Sequence, residues 1–324
     1  MHGSRLRHVY TRALAALAAV IALQASGADY PSRPIRYVVG FAPGGTNDVL
    51  ARVVGQRLTE SLGQPVIIDN RPGAGGNLAA ELVARAAPDG YTLVSISTAH
   101  PISRFLYPKL NYRLERDLAP VTGLASSTMI VVVHPSVAAH SIAELVPWAK
   151  SNRLAYASAG VGALSHLSME IFKRAVGIEA THVPYKGAGP ATSDLLGGQV
   201  QAMANAIPDL LPHVRAGRLR ALGTMGAKRH RLLPEIPTFA EQGHQGLVIN
   251  SWTGIATAAG TPRVIVERLA AEITRIVRSP DVSERWHAQG FEPMGGPPAE
   301  LAAHIQSELA RYGKAVRESG ARAE

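Results

Sequence analysis

The chain has no cysteine among its 324 residues. That one absence excludes a disulfide framework, a thiolate metal site, a cysteine nucleophile and a lipid-acceptor thiol. Aromatic residues make up only 5% of the chain, and the basic residues form no run and interleave with no aromatics, which argues against nucleic-acid binding. The phosphate-binding motif G-x-x-x-x-G-K-[ST] is absent, and Gly73-Ala74-Gly75-Gly76-Asn77-Leu78 lacks the third glycine of G-x-G-x-x-G. A nucleophile elbow is missing too: Tyr156-Ala157-Ser158-Ala159-Gly160 has tyrosine where G-x-S-x-G needs glycine. The 12 histidines include no H-E-x-x-H and no i, i+4 zinc pair. The sequence therefore predicts no cofactor, no metal and no enzyme chemistry.

What is present is a strand, a glycine-rich loop and a helix, twice in succession. Phe41-Ala42-Pro43-Gly44-Gly45-Thr46-Asn47-Asp48 follows a β-type run from Ile35, and Arg71-Pro72-Gly73-Ala74-Gly75-Gly76-Asn77 follows another from Pro65 to Ile68. Behind the first loop Leu50, Val54, Leu58 and Leu62 recur at helical spacing, and Gly63 suits the left-handed stop. In a right-handed β-α-β-α-β unit both loops lie at one sheet edge. Two helix N-termini then converge, with free N–H groups and positive dipole ends, on a site for a small anion. Turn chemistry alone also explains each loop, with Thr46 or Asn47 as N-cap. A third strand, Tyr91 to Ser97, brings Ser97 and Thr98 to the same edge, as hydroxyl donors to the anion or as caps of the next helix. His100, ahead of Pro101, reads as a loop residue.

The rest of the chain is organised around that unit. Residues 1–28 read as a signal peptide: Arg5, Arg7 and Arg12 precede the eleven-residue apolar run Ala13 to Leu23, and Ser26-Gly27-Ala28 offers the cleavage site. Eleven residues fall short of the about 20 needed to span a membrane. The formal charge of +9 drops to +6 without those three arginines, a diffuse attraction for acidic solutes. Two apolar runs, Pro120 to Leu124 and Met129 to Val133, mark a crossing into a second lobe. There Ser141-Ile142-Ala143-Glu144 opens a helix as a capping box, and strands at Leu154 to Ser158, Thr181 to Tyr185 and Val200 to Ala204 alternate with helices. The chain returns near Gly246 to Gly254. Thr261-Pro262, Ser279-Pro280 and Pro298 then start three helices expected to pack on the first sheet.

Several stretches, in order, carry a resemblance: Pro31-Ser32-Arg33-Pro34-Ile35, Pro43-Gly44-Gly45-x-x-Asp48, Asn70-Arg71-Pro72-Gly73-Ala74-Gly75-Gly76 and Pro88-Asp89-Gly90-Tyr91-Thr92-Leu93. Further along come Val183-Pro184-Tyr185-Lys186-Gly187, Ala216-Gly217-Arg218-Leu219-Arg220-Ala221-Leu222 and Gly260-Thr261-Pro262. The chain resembles the Bug/TctC family, the extracytoplasmic solute-binding proteins of tripartite tricarboxylate transporters. The resemblance implies an α/β, two-lobed periplasmic binding protein of type II, each lobe a mostly parallel sheet flanked by helices, joined by a two-strand hinge. It places lobe 1 at 29–125 and 250–324 and lobe 2 at 126–249. It also implies a freely diffusing periplasmic monomer that delivers a small mono- or dicarboxylate to membrane subunits. In the family a carboxylate is gripped by backbone groups and ordered waters of the two loops, which implicates Gly44, Gly45, Thr46, Ala74, Gly75 and Gly76, with Phe41 at the start of the first loop. Asp48 matches an acidic position of the family, or is simply an acid in a first helical turn. From lobe 2, Ser158, His166, Tyr185, Lys186 and Asn205 face the cleft as candidates. Lys186 offers a charge to a far carboxylate or is a solvated loop lysine; His166 is a ligand contact or a packing residue. Where many relatives have Phe-Asp, this chain has Ala204-Asn205, which disfavours an amino-acid ligand because asparagine supplies no charge for an ammonium.

A sensor subunit that presents its ligand to a membrane kinase would use identical chemistry; a secreted hydrolase has no motif in its favour. The leader makes the first prediction. Expressed in a Gram-negative host, the protein recovered from the periplasm begins at Asp29 by N-terminal sequencing; material that keeps Met1 would overturn the reading of residues 1–28.

Overall fold

The computed structural model describes residues 30–319, so the signal-peptide reading of residues 1–28 lies outside the described residues. β1 (Ile35–Val39), α1 (Thr46–Leu62), β2 (Val66–Asn70), α2 (Asn77–Ala84) and β3 (Thr92–Ser97) build the first unit. β1 pairs in parallel with β2 on one side and β3 on the other, Tyr37 lying opposite Ile68 and Leu93. α1 buries Leu50, Val54 and Leu58 in one stripe and stops at Gly63, whose φ of 70° is the left-handed conformation expected there. After α3 (Ala99–Leu106) and α4 (Leu114–Asp117) the chain enters β4 (Leu118–Val133), sixteen residues long.

β4 belongs to two sheets. From Leu118 to Thr128 it runs antiparallel to β9 (Asn250–Ala258), which in turn pairs with β3. From Met129 to Val133 it pairs with β7 (Ala202–Ala206) and β8 (Arg220–Thr224). The two apolar runs of the sequence are thus one strand. The hydroxyl residues between them, Ser126, Ser127 and Thr128, mark the passage from sheet to sheet. The second sheet continues in parallel from β7 to β5 (Ala155–Ser158) and β6 (Thr181–Pro184). Its helices are α5 (Ile142–Ser151), α6 (Leu164–Val176), α7 (Ala188–Leu196) and α8 (Ile207–Arg215). α9 (Arg263–Val277), α10 (Pro280–Gln289), the short β10 (Glu292–Pro293) and α11 (Pro298–Ser319) complete the described chain. The parallel strands foreseen from the sequence are β2-β1-β3 and β7-β5-β6; the crossing strands run antiparallel between them, so the architecture is mixed α/β.

Several local expectations shift. Ser141 accepts the Glu144 N–H as an N-cap, but the Glu144 carboxylate reaches the N–H of His140 rather than that of Ser141. The cap of α9 falls on Pro262, and the Thr261 hydroxyl turns back to the carbonyl of Ala258. His100 is no loop residue. It sits in the first turn of α3, 1% exposed, and its Nδ1 accepts the N–H of Ser97 at 3.0 Å. Pro101 is tolerated there because a first-turn N–H has no helical partner to lose.

The last helix also departs from expectation. Leu301 and Ile305 of α11 pack on the first lobe, beside Val38 and Val94, whereas Tyr312 and Val316 join the core of the second, with Phe172 and Tyr156. Between them the buried Glu308 accepts the indole N–H of Trp252 at 3.0 Å, and Arg311 donates to the carbonyl of Val248 at 2.6 Å. α11 is therefore a splint over the crossing, because its apolar stripe outlasts the first sheet.

Gly40, directly after β1, is one of the points where the backbone packs too closely for a side chain. A Cβ there would stand 2.6 Å from the Cα of Gly76, backbone that cannot turn aside. Gly40→Ala is expected to destabilise the protein by about 1–3 kcal/mol in chemical denaturation. Gly197→Ala, where φ is −82° and the nearest atom is 3.5 Å away, is expected to stay within about 0.5 kcal/mol of wild type.

Candidate functional site

A cavity of about 70 Å³ lies where the carboxyl ends of the strands of both sheets meet. Its floor is the crossing itself: Met129 of β4 and Ser251, Trp252 and Thr253 of β9. The first lobe contributes Phe41, then Gly45, Thr46 and Asn47 at the start of α1, and Ser97, Thr98 and Ala99 between β3 and α3. The second contributes Ala159, Ala163, Leu164 and Ser165 before and within α6, Ala188 of α7, and Asn205, Ala206 and Asp209 around the β7–α8 junction.

The N-terminus of α1 opens into this cavity with no cap from its own N-cap residue, Gly45; the Asp209 carboxylate of α8 accepts the N–H of Thr46 in its place. Thr98 is no cap for α3 either. Its hydroxyl accepts the N–H of Trp252 at 3.0 Å, which ties α3 to the crossing and leaves the hydroxyl proton to donate. Ser165 likewise accepts the N–H of Ala159 at 2.9 Å and keeps its own proton. Thr253 donates to the side chain of Asn47 at 3.3 Å. Asp209 reaches across from α8: its carboxylate accepts the Thr46 hydroxyl at 2.9 Å and the amide of Asn205 at 2.8 Å. Burial pushes Asp209 up to about 6, against the lowering effect of hydrogen bonds from the Thr46 hydroxyl, the Thr46 N–H and Asn205.

The structure divides the fifteen candidates of the sequence between several places. Phe41, Gly45, Thr46, Ser97, Thr98 and Asn205 line the central cavity. Ala74, Gly75, Gly76, Tyr185 and Lys186 line a separate groove of about 390 Å³, with Phe41 and Ala159 shared between the two. Gly44 lines a third, of about 430 Å³, on the far side of the Thr46–Asp209 contact. The two glycine loops therefore open into neighbouring spaces and not into one. Part of the reason is lobe contact: a Cβ on Gly75 would meet the carbonyl of Val161 at 2.7 Å, and one on Gly187 would meet the N–H of Ala42 at 2.9 Å. Lys186 is exposed, and its carbonyl accepts the N–H of Ala42 at 2.8 Å. Tyr185 donates its hydroxyl to Asp194 at 2.7 Å, and burial, with that carboxylate next, pushes it up to about 12.

Asp48, Ser158 and His166 line none of these spaces. Asp48 is 3% exposed; burial alone would raise it, but hydrogen bonds from Arg52, Asn70 and the N–H of Gly44 outweigh that and hold it below its ordinary value. It fastens the first loop to its helix. Ser158 is fully buried and sits 2.6 Å from Nε2 of His182. The His182 ring stacks on His166 at 4.1 Å and on Tyr156 at 4.9 Å, and burial lowers it to about 4, assisted by His166. That stack is packing within the second lobe. Sequence reading missed Asn47, Ser165, Asp209, Ser251 and Thr253. Each neighbours a residue or segment it did name, but which short polar side chain faces inward depends on the lobe-to-lobe register.

With this geometry in place, comparison with known proteins is informative. The family described as tripartite tricarboxylate transporter family receptor, TctC, matches residues 50–321. The chain belongs to that family. BugT of Bordetella pertussis is 37% identical over 306 residues, 93% of this chain and 94% of that protein. Among solved structures, R. palustris Rpa4515 with adipate superposes with a TM-score of 0.86 at 36% identity, covering 90% of this chain and 99% of the other. MatC from Rhodopseudomonas palustris with bound malate gives 0.85 at 34% identity, covering 89% and 100%. The family is one of periplasmic solute-binding proteins, and no helix among the described residues is long and apolar enough to cross a membrane.

Asp209 makes the site sensitive to pH. Its carboxyl binds a proton more tightly in the folded protein, at about 6 against 3.8 for the free group. The stability this lends is therefore full below pH 4 and is lost as pH rises toward 6. Wild type should lose up to roughly 3 kcal/mol relative to Asp209→Asn between pH 4 and 7. Urea titrations of both proteins across that range check it. The difference between them removes the opposing contribution of His100 and His182, both held near 4 by burial.

Proposed function

We propose that the protein captures a small mono- or dicarboxylate in the central cavity and hands it to the membrane subunits of a tripartite tricarboxylate transporter. It acts as a periplasmic monomer without catalysis. The observation that carries this reading is a cavity walled by both sheets beside the N-terminus of α1, with the Thr98 and Ser165 hydroxyls in its lining each keeping a proton to donate. Magnitudes agree. A helix end contributes about 0.3–1 kcal/mol to an anion, up to ~2 when partly buried. Micromolar binding needs about 8 kcal/mol. Three or four charge-assisted hydrogen bonds, at about 1.5–3 kcal/mol each, supply the remainder. The Thr98 and Ser165 hydroxyls stand ready on opposite walls, so the full set forms only when the lobes close. Lobe 1 (residues 29–125 and 250–324) and lobe 2 (126–249) then turn about the crossing strands, with Gly45, Thr46, Ser97, Thr98 and Asn205 as contacts. That relatives were solved with adipate and with malate points to the same ligand class.

Purified mature protein should gain thermal stability from at least one aliphatic carboxylate in a panel that includes malate and adipate. Native mass spectrometry should show one ligand per monomer. Affinity capture from membranes expressing the transporter subunits should recover them only with the loaded protein. A panel in which no carboxylate shifts the melting temperature would overturn the capture reading; capture of a signalling kinase instead of the transporter would overturn the delivery step alone.

A further inference from the structure

Among the described residues lining the central cavity, Asp209 is the one with a formal charge, and that charge is negative. A carboxylate accepts hydrogen bonds in about four lone-pair directions. Three are taken: by the Thr46 hydroxyl, the Thr46 N–H and the Asn205 amide. All three donors are neutral. Asp48 and Arg52 of α1 pair with each other. His213 and Arg215 of α8 line the neighbouring groove, to which Thr46 and Asp209 also contribute, and neither of them lines the central cavity. Asp209 is thus held by neutral donors at the start of two helices, α1 through the Thr46 N–H and α8 through its own first turn, and it meets the cavity with no cation against it and one acceptor direction to spare.

As part of the lining, beside Thr46 and Asn205, Asp209 stands at contact distance from a ligand held in the cavity. A second carboxylate against it would force one of the two to take up a proton. A hydroxyl or an ammonium would instead fill the spare direction and, for ammonium, neutralise the charge. We propose that Asp209 is a specificity-determining residue that admits small carboxylates carrying a hydrogen-bond donor next to the acid group and turns away the analogues that lack it. The inference rests on the carboxylate-capture reading above. It also answers the objection raised by Asn205: the negative charge missing there stands four residues further on, hydrogen-bonded to that asparagine.

Matched triples of three, four and five carbons test it by titration calorimetry at pH 7.5. They are propionate, lactate and alanine; succinate, malate and aspartate; glutarate, 2-hydroxyglutarate and glutamate. In the length that binds best, wild type should prefer a donor-bearing member over the plain acid by at least tenfold, since a site built to accept from a donor rejects the analogue without it. Hydroxyl and ammonium members tell which donor is used. In Asp209→Asn the preference should shrink to threefold or less, chiefly because the plain acid gains. Asn205 can turn its amide over to meet the new one, which keeps that variant folded; Asp209→Ala provides a second reading. Binding of plain and donor-bearing acids alike by wild type, or an unchanged ratio in both variants, overturns the role of Asp209 while leaving carboxylate capture intact. No binding by any member at any length overturns both.

Discussion

Everything in this fold depends on one strand serving two sheets. β4 hands its hydrogen bonds from β9 to β7 and β8 between Thr128 and Met129, so the lobes share backbone and cannot move apart except by bending there. The cavity lies on that bend. Its floor residues are consequently the ones least displaced by any rotation of the lobes, and its wall residues the ones most displaced. Trp252 shows how the floor is held: its N–H bonds to Thr98, its indole to Glu308 of α11. The last helix is rooted in both cores and braces the crossing from outside.

Glycines in the loops carry a different burden from the one their sequence suggests. Read alone, a glycine run before a helix implies a ligand close to the backbone. Here the space a Cβ would fill is taken by the other lobe: Val161 facing Gly75, Ala42 facing Gly187, and the carbonyl of Pro43 at 2.6 Å from where a Cβ of Gly189 would stand. The loops are bearing surfaces between the lobes. That is why the second loop contributes to a flanking groove and not to the central cavity.

The pattern of strands, loops and helices was readable because it rests on short-range signals. Leu50, Val54 and Leu58 repeat at helical spacing, Gly63 ends the run, and the Met129 to Val133 segment is apolar throughout, as a strand covered on both faces must be. The motif order along the chain was enough to find the family. The site was less readable, because a cavity wall is a long-range property. Thr46 and Asp209 are far apart in sequence and meet only through the closure of two lobes. Nothing in Ile207-Pro208-Asp209 distinguishes a cleft acid from a first-turn acid that merely favours its helix dipole. Asp48 illustrates the converse: its place after the glycines suggests the site, yet its carboxylate is used up by Arg52, Asn70 and Gly44.

Charge acts in this protein at two ranges with opposite signs. Over the whole chain the excess is positive and spread, a diffuse attraction for acidic solutes that salt screens within about 10 Å. Among the described residues that line the cavity there is no cation, and the one charge is that of Asp209. On the proposed reading, long-range attraction raises encounter without discriminating between acids, while discrimination is left to neutral hydroxyls and a single carboxylate at contact distance. Such a division suits a carrier that must also release its cargo. A buried arginine pairing bidentately with the ligand would hold it more tightly, and leaving it unpaired on release would be costly. Neutral donors lose less when the ligand departs, because Thr98 and Ser165 each keep the bond they already accept.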